Sequence, residues 1–252
     1  MPNPALLEAA KAVSQFLRGR DRAEPGRKRK EYFERLLAEA VLRYLRRTKA
    51  AFVAQMGMVH PGRKAYGGQV DPELEADLSR ILTQAAQDGY LLLTANAAIG
   101  ADTAVGLQTS TAWAQAYARD LAMGIAGTTA TQIQSAVNAF ASTPGLTIGD
   151  VANSILGPSV TLPRALNIAT TEVTRAYSEA AQVSGQQWKD LGVSVYKSWS
   201  TNNDDRVCPI CGPLNQQEIL ADAKFKGAKG AEIEGPPAHP RCRCWLMVYP
   251  KA

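Results

Sequence analysis

Apolar residues recur at helical spacing through most of this chain, and the pattern changes to strict alternation only after Gly192. Asp71, followed by Pro72, Glu73 and Glu75, forms a helix start: a capping side chain, a proline in the first turn and carboxylates at the positive end of the dipole. The spacing predicts a helix from there to about Asn96. Two Ala-rich helices are expected around "STAWAQAYARDLAMGI" and "TTATQIQSAVNAFAS", the second opening on threonine caps and stopping at "TPG". A short helix fits "IGDVANSIL" before the punctuation of "GPSVTLP". Thr161 and Pro163 then start a long helix with an apolar stripe of Leu166, Ile168, Ala169, Val173, Ala176, Tyr177 and Ala180, which Gly192 ends. The first twenty residues, with Glu8 and Lys11 among apolar positions, read as an amphipathic helix rather than a signal peptide.

Beyond Gly192, "VSVYKSWST" and "CRCWLMVYP" are strand candidates, rich in β-branched and aromatic residues. The intervening "ADAKFKGAKGAEIEGPP" has no apolar periodicity and is expected to be a mobile loop. Trp188, Trp199 and Trp245 are expected to pack sheet against helix, with Tyr177 on the same apolar face. Three divisions follow: a basic helical arm and loop over 1–70, an Ala-rich helical region over 71–160, and a C-terminal domain of one long helix and a small sheet over 161–252. The fold class is α+β, a mainly α-helical N-terminal region followed by a small antiparallel β domain.

Charge refines this picture. The formal net charge is +5, but Arg18 to Lys49 carries 12 Lys/Arg against 5 Asp/Glu, while Ala50 to Thr201 carries 8 against 11. The positive charge is therefore local, and Arg27, Lys28, Arg29 and Lys30 form its densest run, suited to phosphate backbones or an acidic protein surface. A solvated helix face with pairs such as Glu31 to Arg35 is the plainer reading. The most apolar run, "YLLLTANAAIGADTAVGL", is broken by Thr94, Asn96 and Asp102, so no membrane crossing is expected, and synthesis in a cytoplasm follows.

All four cysteines and one of the two histidines lie in the last fifth of the chain. Cys208-Pro-Ile-Cys211-Gly212 has the spacing of a metal knuckle, in which two thiolates from one tight turn reach one tetrahedral ion. His239, Cys242 and Cys244 supply the other half, and on a strand Cys242 and Cys244 share a face while Arg241, Arg243 and Trp245 take the other. One structural zinc is expected, held either by His239 with three cysteines or by four cysteines with His239 bonded to a thiolate. It would staple a sheet too small to hold itself together. Two disulfides are the competing reading. No HExxH spacing or aimed carboxylate accompanies the cluster, since Glu218, Glu232 and Glu234 fall in expected turns and loops, so no catalytic residue is assigned. His60, in a Gly/Pro-rich loop, reads as a surface residue.

The order "IATTEVTRAYSEAA", "YKSWSTNNDDRVCPICGPLN" and "PPAHPRCRCWL" resembles the C-terminal region of the phage Mu F-like minor head proteins, also described as head morphogenesis proteins, over roughly Leu162 to Pro250. The resemblance implies a few-copy component of a tailed-phage head, made in the host cytoplasm and residing in the virion. Its implied partners are the portal protein, other head proteins and the packaged double-stranded DNA. It also implies a non-enzymatic role: some relatives carry a further toxin-like domain, and this chain is expected to have none because it ends at Ala252. Among the matched residues, Glu172 and Arg175 are three apart on one helix face and close enough to pair, although Arg175 can instead reach the turn of Asp204 and Asp205. Glu172, Arg175, Trp199 and Asp205 are therefore read as structural. A zinc-containing nucleic-acid-binding protein is the alternative function, supported by the basic arm and by Arg241 and Arg243, and a metal-dependent nuclease is a weaker third.

Overall fold

Burial is concentrated where long helices cross. A computed structural model describes residues 24, 26–55, 70–95, 102–145, 147–155, 157, 160–202 and 204–250. The expected N-terminal amphipathic helix and His60 lie outside the described residues. The long helices are α1 (Arg27–Gln55), α2 (Pro72–Thr94), α3 (Thr103–Ser142) and α4 (Leu162–Asp190).

The expected starts of α2 and α4 are present. Asp71 Oδ1 accepts the backbone N–H groups of Glu73 and Leu74 at 2.9 and 3.1 Å, and Thr161 Oγ1 accepts that of Arg164 at 3.3 Å. Gly192 follows α4 with φ +78, a left-handed position that glycine occupies without strain. The Ala-rich region corrects the expectation of two helices: α3 is a single helix of 40 residues. Its threonines do not cap anything. Thr128, Thr129 and Thr131 turn their hydroxyls onto the carbonyls of Gly124, Ile125 and Gly127, four residues back, so the side-chain donors are satisfied inside the helix. The "TPG" stop does follow Ser142, and "IGDVANSIL" becomes a helical turn at Ile148–Asp150 continued by a π-turn at Val151–Ile155.

The four helices share one core. Leu37, Val41 and Leu45 of α1 meet Leu78 and Leu82 of α2, with small side chains from the other two helices, such as Ala118 and Ala122 of α3 and Ala169 and Val173 of α4. Alanine at these positions lets the axes approach closely. Helices α2 and α3 approach closely at Gly106, where a Cβ would fall 2.0 Å from the Tyr90 ring.

The strands are β1 (Val195–Ser200), β2 (Glu218–Leu220), β3 (Phe225–Lys226), β4 (Glu232–Ile233) and β5 (Trp245–Pro250). They form an antiparallel sheet in the order β2-β1-β5 and a separate β3-β4 hairpin. The region is thus mainly helical with a small antiparallel β part, as the periodicity change implies. The stretch expected to be a mobile loop instead carries β3 and β4, because Phe225 is fully buried edge-on to Trp199 at 5.4 Å and anchors the hairpin. Trp188, Trp199 and Trp245 are all buried. The second core joins Trp188, Trp199, Leu214, Phe225 and Val248 to the thiols of Cys211, Cys242 and Cys244. Helix α4 serves both cores, its N-terminal half in the helical one and Ala181 and Trp188 in the other.

Candidate metal centre

The knuckle follows β1. Asp204 and Val207 close a turn, then the Cys208 carbonyl accepts the N–H groups of Cys211 at 3.1 Å and Gly212 at 2.9 Å. Cys208 Sγ also accepts the Cys211 N–H at 3.4 Å, which turns both sulfurs toward one side of the loop. The second half is not strand, a correction to the sequence reading. Strand β5 begins only at Trp245, and Arg241 has φ +63, so Cys242 and Cys244 sit in a turn. They nonetheless face the knuckle together, buried to 1% and 5% exposure. Helix α4 holds this turn: Thr171 Oγ1 accepts the Arg241 N–H at 2.7 Å, and Thr174 Oγ1 donates to the Cys242 carbonyl at 3.0 Å.

Two donor groups result, Cys208 with Cys211 and His239, and Cys211 with Cys242 and Cys244, the ligand atoms of each lying within 4.8 Å of one another. Cys211 belongs to both. Its sulfur is 3.2 Å from His239 Nε2 and 3.8 Å from Cys242 Sγ, and Cys208 Sγ is 3.0 Å from the same nitrogen. Two sulfurs on a tetrahedral zinc stand about 3.8 Å apart when each zinc–sulfur bond is about 2.3 Å. A disulfide needs about 2.05 Å, and all four cysteines are free thiols, which sets the disulfide reading aside. His239 Nδ1 lies 2.8 Å from the Pro240 carbonyl oxygen, an acceptor only, so Nδ1 carries the proton and the Nε2 lone pair faces the sulfurs.

The proton balance of the thiols fits a cation. Hydrogen bonds from Cys211 and Cys244 push the Cys242 thiol down, while contact with Cys242 and burial push Cys211 up. Three sulfurs this close hold one thiolate among themselves and resist a second, a repulsion that a divalent ion among them removes. The hydrogen bond with Cys211 pulls the Cys244 thiol down, but its contact with Cys242 and its burial outweigh that and push it up to about 12. Arg206, Arg241 and Arg243 line a cavity of about 30 Å³ beside Cys208, Cys211 and His239. Such cations offset the net negative charge of a zinc with three or four thiolates.

Sequence reasoning missed several supports of this site. Arg243 forms a two-pronged pair with Asp204 at 2.8 and 2.9 Å, which ties the turn of the knuckle to the second donor segment. Asn202 donates to the Arg243 carbonyl at 3.1 Å. Arg175 stays on Glu172, Nε to Oε2 at 3.0 Å, and the Tyr117 hydroxyl donates to the same oxygen at 2.7 Å. No carboxylate belongs to either donor group among the described residues. Glu218 is in β2 and accepts from Tyr249, while Glu232 and Glu234 pair with Lys226 and Lys224.

The basic run is largely spent on internal pairs. Lys30 is buried against Glu24 at 2.6 Å, Arg29 reaches Asp88 at 2.5 Å, and Arg27 takes Glu31 at 2.8 Å. Of the four, only Lys28 forms no ion pair among the described residues. Further along α1, Arg43 and Arg47 bind Asp77, Asp71 and Glu73 of the α2 start. Among the described residues, no helix is long and apolar enough to cross a membrane.

A family model described as Phage Mu protein F like protein matches residues 81–247, about two-thirds of the chain, from the middle of α2 through both donor groups. No curated protein and no solved structure gives a significant match.

Proposed function

The chain belongs to the Phage Mu F-like family, and from that premise we propose that it is a minor head protein of a tailed bacteriophage. The family is one of phage head morphogenesis. In this reading the chain associates with the portal and with packaged DNA during head assembly or genome ejection, and performs no reaction. The observation that carries it is the family match itself, which runs continuously through the α4 motif and the Cys/His cluster. Purified virions should contain the chain at a fixed low ratio to the portal protein. Virions that assemble and infect without it would overturn the assignment.

In the same proposal one zinc ion is held by Cys208, Cys211, His239 and Cys242, the donors joined in sequence by the 3.0, 3.2 and 3.8 Å contacts, with Cys244 beside them. The ion supplies a cross-link between the knuckle and the turn before β5. The divisions at residues 70 and 160 are proposed as changes of sequence character, since helices from all three contribute to one core. Zinc-dependent nucleic-acid binding remains the second reading, supported by Arg206, Arg241 and Arg243 beside the cluster rather than by Lys30, which is buried.

A further inference from the structure

The central strand β1 turns Val195, Lys197 and Trp199 inward, and all three are at most 3% exposed. A lysine between a valine and a tryptophan on a core-facing row is costly, because a buried ammonium needs acceptors or an opposite charge. Among the described residues Lys197 has one hydrogen-bond acceptor, the Glu234 carbonyl at 2.9 Å, and it lies 5.5 Å from the centre of the Phe225 ring. Among the described residues no carboxylate pairs with it. An ammonium carries three N–H donors, so this contact leaves two for other partners. Burial pushes its pKa down, as expected of a cation held short of acceptors.

Lys197 lines a cleft of about 230 Å³ between α4 and the β2 side of the sheet. Lys189 and Lys224 stand on its walls with the amides of Gln182 and Gln186. Asp222 and Glu234 also line it, so three ammoniums face two carboxylates and one positive charge is in excess. Those carboxylates are turned outward: their side chains are 67% and 68% exposed, and they meet Lys189 and Lys224 only at 3.3 Å. Solvent-exposed pairs of this kind are weak and open readily to a competing anion.

We propose that this cleft is an oxyanion site, in which Lys197 at the base and Lys189 and Lys224 at the rim bind a phosphate group. A tetrahedral phosphate offers enough oxygens for the remaining Lys197 donors, both rim ammoniums and the Gln182 amide at once, while Gln186 Nε2 already donates to Asp190 at 2.8 Å. A single carboxylate offers two. The site is separate from the Cys/His cluster and independent of the portal assignment.

The test uses the full-length protein, metal-loaded as purified, titrated with inorganic phosphate by calorimetry. One saturable site is expected, with Kd on the order of 1 mM or tighter. Lys197→Met should weaken it at least tenfold. The double variant Lys189→Gln/Lys224→Gln, whose changes lie at the rim, should do the same, and it decides the matter if Lys197→Met does not fold. Arg119→Gln, exposed on α3 and outside the cleft, should bind as the parent does. Competition by short duplex DNA would identify the phosphate as a backbone phosphodiester, and failure to compete would restrict the site to free phosphate or monoesters. No saturable phosphate binding, binding unchanged in the double variant, or preference for an acidic peptide over phosphate would each overturn the proposal.

Discussion

Asp204 joins the knuckle to the second donor segment through charge. The two-pronged bond from Arg243, the largest influence on it, holds its carboxyl down to about 2 from an ordinary 3.8. A carboxyl depressed in the folded state contributes stability that is complete above its unfolded value and lost as pH falls through the folded one. The contribution of this pair should therefore fade between about pH 4 and pH 2. An NMR titration of the Asp204 side chain should show the low midpoint, and Arg243→Gln should return it toward the ordinary value. In the Cys/His cluster, His239 presents Nε2 to two sulfurs because Nδ1 is committed to Pro240. His239→Ala should lower zinc affinity by more than about 100-fold, beyond the range for loss of a group that only supports a ligand. Cys244→Ser should cost about 10 to 100-fold, as removal of a neighbour does. Equal losses in competition titrations would mean that Cys244 is a ligand too.

The elements show where sequence patterns carry through and where they fail. Caps are local, so Asp71 and Thr161 could be read directly, and their bonds are present. The threonines before Gln132 have the same chemistry, yet their hydroxyls return to the helix and α3 continues, held there by contacts distant in sequence: Arg164 of α4 on Thr129 and Gln132, and Phe52 of α1 beside Ile133. The β3-β4 hairpin was invisible for a related reason. Its strands are two residues each, too short for alternation, and only the burial of Phe225 against Trp199 gives them a place. Glycines in α3 separate the two kinds of information experimentally. Gly106→Ala drives a methyl into the buried Tyr90 ring and should destabilise by about 1–3 kcal/mol or more. Gly124→Ala meets nothing within 4 Å and should stabilise by about 0.5–1 kcal/mol through helix propensity. Urea titration of both variants distinguishes the effects, and a stabilising Gly106→Ala would mean that the crossing is looser than described.

At the scale of the molecule, the helices and the sheet depend on different forces. The helical core is broad and apolar, drawing on α1 through α4, whereas the sheet has three strands of three to six residues and a core that includes three thiols. The Cys and His spacing made a cluster able to hold a metal legible in sequence; the grip of α4 was not, since Thr171 and Thr174 act from about 70 residues away, and no spacing rule connects them to Arg241 and Cys242. That grip couples the two parts. Zinc binding to a turn that cannot form in the unfolded chain appears as folding free energy, so removing the ion should loosen residues 193–250 first. Chelation should raise amide exchange across β1, β2 and β5 and at the C-terminal half of α4, where Trp188 and Gly185 meet the sheet. The N-terminal half of α4, fixed by Ala165, Ala169 and Val173 in the helical core, should stay protected, and far-ultraviolet circular dichroism should retain most of its helical signal. Uniform loss of protection through α1 to α4 would mean that the two cores unfold as one unit, with the metal stabilising the whole chain. Unchanged exchange in the sheet would remove zinc as its staple and leave the thiols as ordinary buried side chains.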